Sequence, residues 1–182
     1  MHIIPTIIEG AFILEPKVWG DERGYFFESF STKYLEPLGT TYNFVQDNEA
    51  MSKFGVIRGL HYQLPPFAQT KLVRVVKGEV LDVIVDIRKG SPTYGRSLSV
   101  RLNEVNKRQF LVPKGMAHGY AVLSSEAIFA YKCDDFYHPE HEGGLNIHDP
   151  QLQIDWIIPR ENQIISSKDL LLPNLGQHLP FE

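Results

Sequence analysis

Two short segments place a histidine where it could do chemistry. One is Gly55-Val56-Ile57-Arg58-Gly59-Leu60-His61-Tyr62-Gln63, and the other is Pro113-Lys114-Gly115-Met116-Ala117-His118-Gly119. In a third segment, Ala127 to Cys133, the odd positions Ala127, Phe129, Tyr131 and Cys133 share one face and Lys132 lies on the other. That apolar face should point inward and carry Tyr131 with it. By the same alternation Lys71 lies with Val73 and Val75 and points the same way. An imidazole changes charge near neutral pH, a phenol can give up a proton, and an ammonium can stabilise an anion. Gathered in one cavity, His61, His118, Tyr131 and Lys71 would suit proton transfer with stabilisation of a developing negative charge.

These residues need rigid elements to hold them, and the chain supplies strands. Val80 to Ile87 puts Leu81, Val83, Val85 and Ile87 on one face and Asp82, Ile84 and Asp86 on the other. Lys71 to Val76 stops at Lys77-Gly78, which reads as a hairpin turn into that strand. Ser97–Leu102, Arg108–Val112, Gly119–Leu123 and Ala127–Cys133 are further short strands. With twelve prolines and fourteen glycines, the chain suits many tight turns and predicts an antiparallel sandwich or barrel. Two short helices are expected, over Ser31–Leu38 with Ser31 or Thr32 as cap, and over Ser166–Leu172 before Pro173. The Pro-rich and polar tail from about Trp156 is expected to wrap the barrel. Arg58 and His61 fall on opposite faces of an ideal strand, so Gly59 must permit a bulge if both serve one site.

Composition narrows the function classes. With 182 residues, the chain predicts one domain over 1–182, and its length suffices for a sizeable core. A formal net charge of −4 without a Lys/Arg run argues against nucleic acid or an anionic membrane as partner. The single cysteine, Cys133, excludes an internal disulfide framework and a Cys-cluster zinc site. No apolar run is long enough to span a membrane, and Met1–Gly10 lacks the basic start of a signal peptide, so a cytoplasmic location is expected. His2, His138, His141, His148 and His178 are read as surface residues.

The two histidine segments resemble the paired signature motifs of the cupin superfamily of small β-barrels. In that superfamily the first motif runs Gly, five residues, His-x-His, a short gap, Glu, six residues, Gly, and the second contains Pro-x-Gly-x-x-His. Here Gln63 stands for the second His and Lys71 for the Glu. An ammonium cannot ligate a divalent cation and repels one, so no metal is expected. More closely, the chain resembles the dTDP-4-dehydrorhamnose 3,5-epimerase family. The likeness rests on Arg58 to Gln63, Gly115 to Gly119, Tyr131-Lys132, Asp21-Glu22-Arg23-Gly24 with Phe26 and Glu28, Gln46-Asp47-Asn48, Arg88 to Thr93 and Ser167-Lys168-Asp169, and it covers about residues 3 to 175.

The resemblance implies an all-β, cupin-type antiparallel barrel (a jelly roll) with a few short peripheral helices. It also implies a nucleotide-sugar substrate with a ketone at C4, whose C3 and C5 hydrogens are acidic, and no cofactor. It makes His61 the base, Tyr131 the acid on the opposite face, Asp169 the group that orients His61, and Lys71, with His118, the support for the oxyanion. Arg23, Phe26, Glu28, Gln46, Asp47, Asn48, Arg58, Gln63, Glu142 and Lys168 would line the substrate site. Part of the N-terminal segment, with Tyr25, Phe26, Phe27 and Phe30 crowded about Arg23, would reach into the neighbouring subunit of a homodimer. Two other readings stay open on the residues: a metal-dependent cupin whose shell is completed by Gln63 and other groups, and a non-catalytic sugar- or nucleotide-binding module. An enzyme acting at only C3 or only C5 is a third.

Overall fold

The computed structural model describes residues 1–182. Its strands are β1 (His2–Pro5), β2 (Phe12–Glu15), β3 (Trp19–Asp21), β4 (Gly24–Phe26), β5 (Gln46–Lys53), β6 (Val56–Gln63) and β7 (Lys71–Lys77). They continue with β8 (Glu79–Asp86), β9 (Ser97–Asn103), β10 (Gln109–Val112), β11 (Met116–Val122), β12 (Glu126–Cys133), β13 (Glu142–Gly144) and β14 (Ile164–Ile165). One antiparallel sheet runs β1-β2-β10-β7-β12-β5, and the second runs β13-β6-β11-β8-β9, with β14 added parallel to β6. The two sheets face each other as a jelly-roll barrel, and β3 with β4 forms a separate hairpin. No helix is long and apolar enough to cross a membrane.

Alternation decides which side chains meet inside. Val73, Val75, Phe110, Ala127 and Phe129 from the first sheet pack against Val80, Ile84, Leu102, Tyr120 and Val122 from the second. The opposite face of β8, with Leu81, Val83 and Val85, is covered by Leu145, Ile147, Trp156 and Ile158 of the C-terminal segment. That strand is therefore buried on both faces, so its aspartates point into protein. The outer face of the first sheet is covered near Leu72 and Leu111 by Leu35 and by neighbours that include Phe30, Tyr42 and Phe44.

Several local expectations are corrected. Lys77-Gly78 is not a hairpin turn: β7 belongs to the first sheet and β8 to the second, so the chain crosses between layers there. Each strand has apolar residues for the shared interior, and facing sheets bury them better than side-by-side pairing would. Ser31–Leu38 forms two 3-10 turns, Thr32–Tyr34 and Glu36–Leu38, because Pro37 interrupts the pattern and Ser31 makes no side-chain cap. The second expected helix shortens to α1, Ser167–Leu170, capped by the Ser166 hydroxyl, which accepts from the Asp169 N–H at 3.1 Å. His178 is not at the surface: it is 8% exposed, packed between the rings of Tyr62 and Tyr94.

Candidate active site

A cavity of about 600 Å³ opens between the sheets, within the range of small-molecule sites. His61, Arg58, Lys71, His118 and Tyr131 line it, with Lys168 and Asp169 from the C-terminal segment. The bulge demanded by the sequence is present. Opposite β11, His118 pairs with His61 and Tyr120 with Arg58, so β6 carries one residue more than its partner. Gly59 makes this possible. Its φ is +131°, and a Cβ there would lie 2.6 Å from the Gly119 Cα. The extra residue turns Arg58 and His61 to the same side.

His61 and Asp169 come together because the tail is stitched to the barrel. Ile164 and Ile165 pair with Val56 and Ile57, and Gly55 lets the tail approach, since a Cβ there would lie 2.2 Å from the Asn162 carbonyl oxygen. The chain then turns into α1 and delivers Asp169, whose Oδ1 lies 2.7 Å from His61 Nε2. Burial pushes the Asp169 carboxyl up, but the hydrogen bond and charge of His61, with the Gly59 N–H and Ser166, outweigh it and hold it below the usual aspartate range. The carboxylate therefore stays ionised beside the ring.

Across the cavity, Tyr131 stands on β12, in register with Asn48 and Val73. Burial pushes its phenol up, helped by Cys133 and Tyr120 and opposed by Arg58. Lys71 begins β7, and burial pulls its ammonium below the usual lysine range, against the charges of Cys133, Asp82 and Glu142. His118 forms a second buried pair that the sequence reading missed: its Nε2 is 3.0 Å from both carboxylate oxygens of Asp82. The signal was present, since a doubly buried strand forces any Asp on it to find a partner. No group of three or more His, Cys, Asp or Glu side chains is arranged to hold a metal ion.

The remaining expected substrate residues divide into three groups. Gln46, Asn48, Gln63 and Glu142 line an adjoining cleft of about 320 Å³ that shares His61, Lys71 and Tyr131 with the main cavity. Gln63 is already engaged: its amide donates to the Phe67 and Phe136 carbonyls at 2.7 and 3.1 Å and accepts from the His138 N–H at 2.6 Å. It ties loops together instead of reaching for a ligand. Lys168 and Glu142 form an ion pair over the cleft, and Tyr137 donates to the same Glu142 oxygen.

Asp47 lies apart from both cavities. It alternates away from Gln46 and Asn48 to the outer face of its strand, where both carboxylate oxygens lie 2.8 Å from Lys132 Nζ. Arg23, Phe26 and Glu28 are likewise not brought to this chain's cavity. Arg23 is 84% exposed on the β3–β4 hairpin and paired with Asp21, and Glu28 accepts from the Tyr34 hydroxyl. The hairpin pairs with no edge of either sheet and is held instead by Lys107, on the loop between β9 and β10, whose Nζ donates to the Tyr25 hydroxyl at 2.9 Å.

The family model for dTDP-4-dehydrorhamnose 3,5-epimerase matches residues 5–177. The chain belongs to the dTDP-4-dehydrorhamnose 3,5-epimerase family. A dTDP-4-dehydrorhamnose 3,5-epimerase of Shigella flexneri is 52% identical over 171 residues, covering 93% of each chain. Among solved structures, the dTDP-6-deoxy-D-glucose-3,5-epimerase of Legionella pneumophila Philadelphia 1 is 54% identical, with a TM-score of 0.92, and covers 97% of this chain and 93% of that one. That structure is a complex with dTDP-4-keto-L-rhamnose. The dTDP-4-dehydrorhamnose 3,5-epimerase of Elizabethkingia anophelis NUHP1 is 46% identical with a TM-score of 0.93, covering 97% of both chains. The cupin-type barrel expected of this epimerase family is the fold observed.

Proposed function

We propose that this chain epimerises dTDP-4-dehydro-6-deoxy-D-glucose at C3 and C5 to dTDP-4-dehydro-L-rhamnose, a step of dTDP-L-rhamnose biosynthesis, as a cytoplasmic homodimer. The observation that carries the reading is the pair of proton-transfer groups on facing walls: His61 held by Asp169 on the second sheet, and Tyr131 on the first.

The C4 ketone acidifies the hydrogens on both neighbouring carbons. His61 abstracts one, and the ionised Asp169 fixes the ring's orientation and stabilises the imidazolium that forms. The electron pair moves onto the C4 oxygen as an enolate. Lys71 stands by as a cation whose proton is held less tightly than usual, and His118, its Nε2 paired with Asp82, supplies a second donor when both of its ring nitrogens carry protons. Tyr131 then returns a proton to the carbon from the other face, which inverts it. Arg58 and Lys168 supply cations for the diphosphate. The exposed hairpin with Trp19, Arg23 and Phe26 is read as an arm that completes the cavity of the second subunit, which accounts for its aromatic exposure.

Proton NMR of dTDP-4-keto-6-deoxyglucose incubated with the protein in D₂O tests this. Deuterium at both C3 and C5 is expected. Incorporation at one carbon would reduce the activity to a mono-epimerase, and incorporation at neither would overturn the assignment.

A further inference from the structure

Tyr120 carries a hydroxyl that the mechanism above leaves unused. It lies on β11 two residues after His118, so both side chains face the barrel interior. Its ring stacks on Phe129 with centroids 4.1 Å apart and planes 19° from parallel. The Phe129 ring is itself 6.0 Å from Tyr131 and 6.3 Å from His118, so Tyr120 belongs to the wall beside the reacting groups.

The residue is 5% exposed, and no protein group completes a hydrogen bond with its hydroxyl. Burial pushes its phenol up, and although Ser52 and Arg58 are near enough to oppose this, neither meets it at bonding geometry. The Ser52 hydroxyl instead accepts from Arg58 Nε at 3.1 Å. Arg58 itself has no carboxylate partner. A phenylalanine would keep the stack on Phe129 and avoid burying an unpaired donor, so packing alone does not call for the hydroxyl. An orphaned donor in the wall of a polar cavity is explained by an acceptor that arrives with the ligand.

We propose that Tyr120 is a substrate-binding residue whose phenol O–H donates a hydrogen bond to a non-reacting oxygen of the bound 4-keto-hexose nucleotide. The inference rests on the proposed function and adds a residue that sets how tightly this substrate is held. The acceptor is a hexose oxygen or a diphosphate oxygen.

Tyr120→Phe tests it, because the ring is retained and only the hydroxyl is lost. Wild type and variant are compared for KM and kcat with dTDP-4-keto-6-deoxyglucose, for dTDP affinity by calorimetry, and for Tm. The expected result is a KM raised about 3- to 10-fold with kcat within about twofold, and a Tm equal to or above that of wild type. An equal weakening of dTDP alone assigns the acceptor to the diphosphate, and unchanged dTDP binding assigns it to the hexose. Unchanged KM and dTDP affinity would overturn the proposal, whatever the Tm. A fall in kcat at constant KM would also overturn it, since the hydroxyl would then act on the transition state alone. If wild type itself exchanges no deuterium, the functional reading fails and this inference falls with it.

Discussion

His61 Nε2 and Asp169 Oδ1 lie 2.7 Å apart although 108 residues separate them in the chain. The contact depends on β14, which adds to β6 as a parallel strand and fixes where the chain enters α1. Removing the base, in His61→Ala, is expected to lower turnover by about 10² to 10⁴. Asp169→Asn should cost less alone, and the double variant should be no slower than His61→Ala, because the carboxylate acts through the ring. Single-turnover deuterium exchange measures all three.

Abstraction and reprotonation should separate in Tyr131→Phe. The base is intact there, so hydrogen can still leave C3 or C5 while inversion falls by about 10² to 10⁴. Deuterium entering substrate that keeps its original configuration would show the split by NMR. Loss of exchange and inversion in equal measure would place Tyr131 on the abstraction step instead.

Gly59→Ala is expected to damage both stability and catalysis. The φ of +131° disfavours any side chain, and the added methyl meets the Gly119 backbone. If the bulge relaxes to a regular ladder, Arg58 or His61 turns out of the cavity. Urea unfolding and turnover should fall together in this variant, whereas His61→Ala keeps the bulge and should lose turnover far more than stability, with a smaller stability cost from the buried Asp169 left without its partner.

Arg23→Ala should weaken substrate binding even though Arg23 is absent from its own chain's cavity. Mixing Arg23→Ala protein with His61→Ala protein, followed by subunit exchange, is expected to give more activity at subsaturating substrate than the sum of the two parents. The mixed dimer would hold one site with both defects and one with none. No recovery in a mixture shown to exchange subunits would remove the arm from the active site.

Stability should fall with acid in two steps. Burial holds His178 below the ordinary histidine value, so below about pH 6.5 the unfolded chain takes up a proton that the native state refuses, and stability drops until the native value is reached. Asp86 behaves oppositely in sign of charge. Burial raises its carboxyl, but Arg88, Ser91 and Thr93 outweigh it and hold it at about 2. Its stabilisation, about 2 kcal/mol, is present at neutral pH and is lost as pH falls from the ordinary aspartate value of 3.8 through about 2. Asp86→Asn should shrink the lower step in urea titrations, leaving the part due to Asp169, and should leave the upper one in place.

Much of this site was legible in the residues. Alternation alone turned Lys71, Tyr131 and Cys133 inward, because side chains on a strand change face at every step. The spacing from Arg58 to His61 demanded a bulge, and Gly59 marked where it had to sit. The family motifs supplied the roles. What alternation cannot say is which of two faces meets water when a third layer covers the sheet. Asp82 and Asp86 looked like the polar side of a strand, yet the C-terminal segment buries the other side and leaves Asp82 to pair with His118. Nor does spacing along the chain determine which strands become neighbours, so Lys77-Gly78 read as a hairpin although it joins two sheets. The same limit hid the separation of the Arg23 hairpin from its own barrel, whereas the outward facing of Asp47 between Gln46 and Asn48 follows from alternation along one strand. The sequence determined the set of chemical groups and their local facing, which are properties of neighbouring residues. The tertiary structure decided their distances, because the meeting of His61 with Asp169 and the isolation of the Tyr120 hydroxyl depend on how layers remote in the chain close on one another.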